Sequence, residues 1–196
     1  MAYINIDHLT KDYGKGRGIF DVSLEINKGE IYGFVGINGA GKTTTIRHMM
    51  GFLKPEEGNV LIKGIDATKN SAEVKRHVSY IPGEINFPGN STGEVFLKDQ
   101  IYLSGRGSWE HAKELSSLFQ LDVTANVHSM SKGMKQKLAI VLALMNNPEI
   151  LFLDEPTTGL DPLMRDSFMN IVKSEHEKGK TILMSSHMFE ELEDYS

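Results

Sequence analysis

The sequence contains no cysteine. Disulfides, thiolate zinc sites and cysteine nucleophiles are therefore excluded. Long hydrophobic runs are also missing. The longest, Leu138 to Met145, has eight residues, whereas a bilayer-crossing helix needs about 20. Any membrane role must come through a partner. The opening stretch, "MAYINIDHLTKDYG", has no basic region followed by an apolar core and does not read as a secretory leader. Positive charge is in the minority, with 21 Lys and Arg against 26 Asp and Glu, and no basic block stands out. This argues against a dedicated nucleic-acid binder. Internal repeats and low-complexity tracts are absent. So is an N-K-x-D segment of the kind that reads guanine.

What is present points to one α/β domain. The chain's 196 residues suffice for a single sizeable core. Ile31–Val35, Val78–Ile81 and Ile150–Leu153 are short, nearly continuous apolar runs, the pattern of parallel strands covered on both faces. A fourth run, Thr181–Met184, follows a punctuated helix: Asp161 can cap it, Pro162 occupies its first turn and Gly179 ends it. Strands alternating with helices predict an α/β fold. The middle differs. From about Asn86 to Val127 two helical patterns replace strands, one near Gly93–Leu103. The other carries Trp109, Ala112, Leu115 and Phe119 at helical spacing. We expect a core of about 1–85 and 128–196, with a helical lobe at about 86–127.

The stretch "GINGAGKTT" sets Gly36, Gly41, Lys42 and Thr43 in the phosphate-loop pattern G-x-x-x-x-G-K-[ST]. Glycines let backbone N–H groups approach phosphate oxygens. Lys42 supplies a cation for the β and γ phosphates, and the Thr43 hydroxyl is a hard ligand for Mg²⁺. A helix starting near Lys42 directs its positive end at the same anion. A buried strand before the loop and an amphipathic helix after it argue against a chance match. By contrast "YGKGRG", Tyr13–Gly18, lacks the spacing of a dinucleotide fingerprint and reads as a flexible connection.

"EILFLDEPTTGLDP" ends a buried strand in Asp154 and Glu155. Ligands of open α/β sheets sit at the carboxyl ends of strands, so Asp154 is expected to meet the Mg²⁺ held by Thr43. Glu155 is placed to orient the attacking water, since phosphoryl transfer depends chiefly on positioning and charge stabilisation.

Taken together, "GINGAGKTTT", "MSKGMKQKL", "ILFLDEP", "TTGLD" and "LMSSH" resemble the ATP-binding cassette of ABC transporters over essentially the whole chain. The resemblance implies a P-loop NTPase fold with a mostly parallel sheet, an N-terminal antiparallel β part and the helical lobe. It implies Gly36, Asn38, Gly39, Ala40, Gly41, Lys42, Thr43 and Thr44 as the chain's own phosphate contacts. Tyr13 is implied as the aromatic stacking on adenine, with Tyr3 and Phe20 as alternatives. Two such cassettes close head to tail around two ATP molecules. Ser131 and Gly133 are thereby implied to serve the nucleotide of a facing copy, identical or not, where Ser131 also suits the cap of an apolar helix. By the same resemblance His187 contacts the γ-phosphate and Asp161 links the two sites.

The sequence departs from the family in three places. Gly83 stands where the family has Gln, and the adjacent Glu84 is the candidate replacement oxygen for the metal. The signature reads Ser-Lys-Gly-Met, with Lys132 adding a cation. Cassettes also generally continue well beyond the residue matching His187. Ser196 is therefore expected to end a fragment or truncated product with an unprotected sheet edge. The functional expectation is an ATP- and Mg²⁺-dependent ATPase that energises export through a separate integral membrane permease. It would sit on the cytoplasmic face of the membrane, with no nucleic-acid partner. Alternatives are a soluble cassette ATPase uncoupled from transport and a regulator that hydrolyses weakly.

Overall fold

The computed structural model describes residues 2–87 and 89–186. Strands β1 (Ile4–Asp12), β2 (Gly18–Ile26), β4 (Glu57–Ile62) and β5 (Ile65–Asp66) form an antiparallel sheet in the order β2-β1-β4-β5. Strands β3 (Ile31–Val35), β6 (Val78–Ile81), β7 (Ile150–Asp154) and β8 (Thr181–Ser186) form a second sheet in the order β3-β8-β7-β6. All its pairings are parallel. The helices are α1 (Lys42–Met49), α2 (Ser71–His77), α3 (Gly93–Ser104), α4 (Trp109–Leu118), α5 (Lys132–Met145) and α6 (Pro162–Glu177).

Every residue of β7 and β8 is buried, because successive strand side chains enter two separately covered faces. Ile150, Phe152 and Leu183 pack with the antiparallel sheet and with Ile46 and Met49 of α1. Leu151, Leu153, Ile182 and Met184 pack on the other side with α3 to α6. The parallel sheet is thus the middle layer. β3 lies at its edge and is only partly buried.

The four apolar runs read as strands coincide with β3, β6, β7 and β8. β1 and β2 carry no clean alternation because their ladder is irregular. The register shifts between Ile6 and Leu9 and again between Leu9 and Lys11, and His8 takes φ 50°. A bulge of this kind breaks the two-residue period that sequence reading relies on.

The starts of α5 and α6 follow their capping chemistry. Asp161 Oδ1 accepts from the Met164 N–H at 3.0 Å, and Ser131 Oγ accepts from the Met134 N–H at 3.2 Å. Between β6 and α5 the two ends of a helical excursion are tied to each other by an isolated bridge, Thr92 opposite Asn126. There the Gly93 N–H donates to the Ala125 carbonyl at 3.0 Å and the Val127 N–H to the Ser91 carbonyl at 2.9 Å. Leu97, Ala112 and Phe119 of this excursion share one apolar core with Leu138 of α5. Among the described residues no helix is long and apolar enough to cross a membrane.

Candidate functional site

The loop between β3 and α1 turns on Gly41, whose φ of 95° suits a residue without Cβ. A Cβ there would also collide with the Ile19 side chain of β2. The antiparallel sheet therefore supports the loop from behind. Lys42 is buried, and its ammonium donates to the carbonyls of Gly36 and, at 3.3 Å, Ile37. It stands 3.7 Å from Glu155 Oε1. The cation is thus gathered inside its own loop.

At the end of β7, Asp154 is fully buried and both its oxygens are engaged. Thr43 Oγ1 donates to Oδ2 at 2.7 Å and Ser185 Oγ donates to Oδ1 at 2.6 Å. A buried carboxylate needs such partners. Its charge is felt nearby: burial first, and then Asp154, push the Tyr80 phenol up to about 12. Glu155 follows with φ 47°, a left-handed backbone unusual for a side-chain-bearing residue. Its N–H donates both to Ser185 Oγ at 3.0 Å and to the Ser185 carbonyl at 3.2 Å.

Lys42, Thr43 and Glu155 face a cavity of about 450 Å³. One wall is Asn38, Gly39, Ala40, Gly41, Lys42, Thr43 and Thr44, with Glu155 beside them. The opposite wall is the β1–β2 turn, with Tyr13, Gly16, Arg17 and Gly18. Tyr13 is 54% exposed, with the Lys11 ammonium 5.9 Å from its ring centroid. The "YGKGRG" stretch is therefore a wall of the cavity and more than a connection. Its first residue, the candidate aromatic Tyr13, is the signal the sequence offers. Tyr3 turns elsewhere, giving its hydroxyl proton to Glu149 at 2.7 Å.

Other expected site residues do not meet in this cavity. Glu84 lines a neighbouring groove with Lys132, Lys135 and Gln136. Gly83 is the one beside Asp154, where an added Cβ would lie 3.6 Å from Oδ2. Ser131 and Asp161 are exposed at the caps of α5 and α6. Gly133 packs against the turn after β7, where an added Cβ would lie 3.0 Å from the Gly159 carbonyl oxygen. His187 lies outside the described residues.

A glycine-rich loop between a strand and a helix, at the carboxyl ends of a parallel sheet and facing paired acids, defines a P-loop nucleotide-binding protein. The sequence model of the family described as ABC transporter matches residues 19–158. The chain belongs to that family, as an ATP-binding cassette.

It is 37% identical over 195 residues to a relative in Escherichia coli (strain K12), the probable multidrug ABC transporter ATP-binding protein YbhF. That alignment covers 97% of this chain and 34% of the relative, so the chain spans about a third of that protein's length. Among solved structures, an ATP-binding subunit of an ABC transporter superposes with a TM-score of 0.88 at 30% identity, covering 98% of this chain and 82% of the other. The cassette MJ0796, solved as a dimer in a post-hydrolysis state with ADP and Pi, gives 0.84 at 26% identity, covering 96% and 89%.

Proposed function

We propose that this chain binds ATP with Mg²⁺ and hydrolyses it as one of two cassettes that close head to tail. The energy of closure drives export through a separate membrane permease, with the cassette on the cytoplasmic face and no nucleic acid involved. The observation that carries the reading is the Thr43 hydroxyl on the buried Asp154 carboxylate at 2.7 Å, beside a loop that already gathers Lys42. Both are hard oxygen donors. No group of three or more His, Asp or Glu able to hold a metal occurs among the described residues. That suits Mg²⁺, which takes one or two protein oxygens and completes its shell with phosphates and water.

In this reading Tyr13 stacks on the base. The N–H groups of Gly36, Asn38, Gly39, Ala40, Gly41 and Thr44 line the phosphates, and Lys42 exchanges its carbonyl partners for the β and γ oxygens. Thr43 and Asp154 would hold Mg²⁺, which would supply charge neutralisation for the phosphates. Glu155 orients the attacking water and holds its proton. The facing copy contributes Ser131 and Gly133 at the N-terminus of α5, and Asp161 and His187 complete the contact. The exposure of Ser131 and Asp161, away from their own chain's cavity, supports a role toward another molecule, as does the dimeric state of the MJ0796 structure.

The segment 86–127 forms the lobe that meets the permease, with Val95 47% exposed near its start. Export is favoured by the similarity to the Escherichia coli relative, named a probable multidrug ABC transporter ATP-binding protein. Glu155→Gln in the full chain should accumulate an ATP-dependent dimer in light-scattering measurements. A monomer with and without ATP would refute the composite site. Lys42→Ala should abolish nucleotide binding.

A second reading, a regulatory cassette with slow turnover, rests on Gly83 offering no side chain to Asp154 while Glu84 faces the adjoining groove. A wild-type turnover that stays slow with the permease present would favour it.

A further inference from the structure

Ser185 belongs to none of the assigned site residues, yet its hydroxyl touches both acids at the end of β7. The strand register pairs Asp154 with Ser185, which brings the Ser185 side chain level with the carboxylate. Its Oγ donates to Asp154 Oδ1 at 2.6 Å and accepts from the Glu155 N–H at 3.0 Å. A serine hydroxyl has one donor and two acceptor positions, so this one orients both neighbours at once. Ser185 is fully buried, and water does not compete for these bonds.

We propose that Ser185 is a positioning residue for the metal-binding carboxylate and for the turn that carries Glu155. This rests on the nucleotide-site reading above. An aspartate carboxyl rotates broadly about its last torsion. Bonding Oδ1 to Ser185 stops that rotation and leaves Oδ2 aimed at Thr43, 2.7 Å from its Oγ1. The same hydroxyl shares the Glu155 N–H with the Ser185 carbonyl at 3.2 Å. It thereby steadies a backbone turned to φ 47°, a conformation that persists only where its surroundings hold it. Ser185 acts through Asp154 and Glu155 and touches no phosphate itself.

The test is Mn²⁺ binding by the full chain at saturating ADP, followed by water-proton relaxation, for wild type, Ser185→Ala, Ser185→Thr and Ser185→Cys. Partners behind a metal ligand typically change metal affinity by about 10- to 100-fold, and a loss of that size is expected for Ser185→Ala. ADP affinity in excess chelator should stay near wild type, because the phosphate loop is untouched. Ser185→Thr keeps the hydroxyl and should restore Mn²⁺ affinity. Ser185→Cys, of similar size with a weak donor, should fall between, and it serves if the alanine variant does not fold.

Mn²⁺ affinity in Ser185→Ala or Ser185→Cys equal to wild type would overturn the proposal. So would equal losses of ADP affinity with and without metal, since those mark general disruption. A wild type that binds neither ADP nor Mn²⁺ would instead bring down the nucleotide-site reading, and this inference with it.

Discussion

Gln136 Nε2 donates to the Pro156 carbonyl at 2.6 Å, and Gln136 is buried. The bond joins the first turns of α5, which begin at the exposed Ser131, to the residue directly after Glu155. Gly133 presses on the Gly159 carbonyl in the same contact. Both halves of the proposed composite site are thus fastened together within one chain. Gln136→Leu leaves a buried carbonyl unpaired and should destabilise by about 1–3 kcal/mol. At about 2–4 °C per kcal/mol for a chain of this size, thermal denaturation will register the loss. An unchanged melting temperature would show that the bond adds no stability.

Gly83 does not need to be glycine for backbone reasons. Its φ is not positive, and an added Cβ would find its nearest neighbour, the Asp154 carbonyl oxygen, at an ordinary 3.5 Å. Gly83→Ala should therefore stabilise by about 0.4–1 kcal/mol, through a less flexible unfolded chain. Gly83→Gln would set an amide beside the Asp154 carboxylate and should raise ATP turnover, read as kcat at saturating Mg²⁺. A fall in kcat would show that the space beside Asp154 is used for something else.

Glu149 ties the two sheets together at the end opposite the nucleotide cavity. Lys63 Nζ donates to it at 2.8 and 2.9 Å, Tyr3 donates at 2.7 Å and His77 Nδ1 lies at 2.9 Å. These partners, Lys63 foremost, hold its carboxyl down to about 2, from 4.5. A depressed carboxyl contributes stability that is fully present above pH 4.5 and is lost as the pH falls toward about 2. Glu149→Gln should flatten the acid limb of a melting-temperature profile in that window and leave its shape near pH 7 unchanged. An identical acid limb would assign the acid sensitivity to other groups. Because Glu149 is half exposed, the contribution is modest.

Local chemistry made much of this legible. The phosphate loop announces itself because its roles fall to adjacent residues. Strands such as β7 do so because burial on both faces demands unbroken apolar sequence. The parts that stayed hidden depend on pairing. The β1–β2 hairpin is disguised by bulges at His8 and Leu9, and its glycine-rich turn looks like a spacer until folding swings it opposite Thr43. Ser185 is invisible as a partner of Asp154, since only the register of β7 against β8 brings residues 31 positions apart side by side. The direction taken by Glu84 depends on how the chain leaves β6, which neighbouring residue types do not dictate.

On the role proposed for Glu155, its left-handed turn places thermal robustness and activity in opposition. For a residue bearing a Cβ this conformation is disfavoured by about 1–2 kcal/mol, a penalty glycine escapes. On the catalytic role proposed for Glu155, selecting variants solely for heat resistance would reward Glu155→Gly at the expense of turnover. Any programme of hardening this chain must therefore screen for catalysis in the same round.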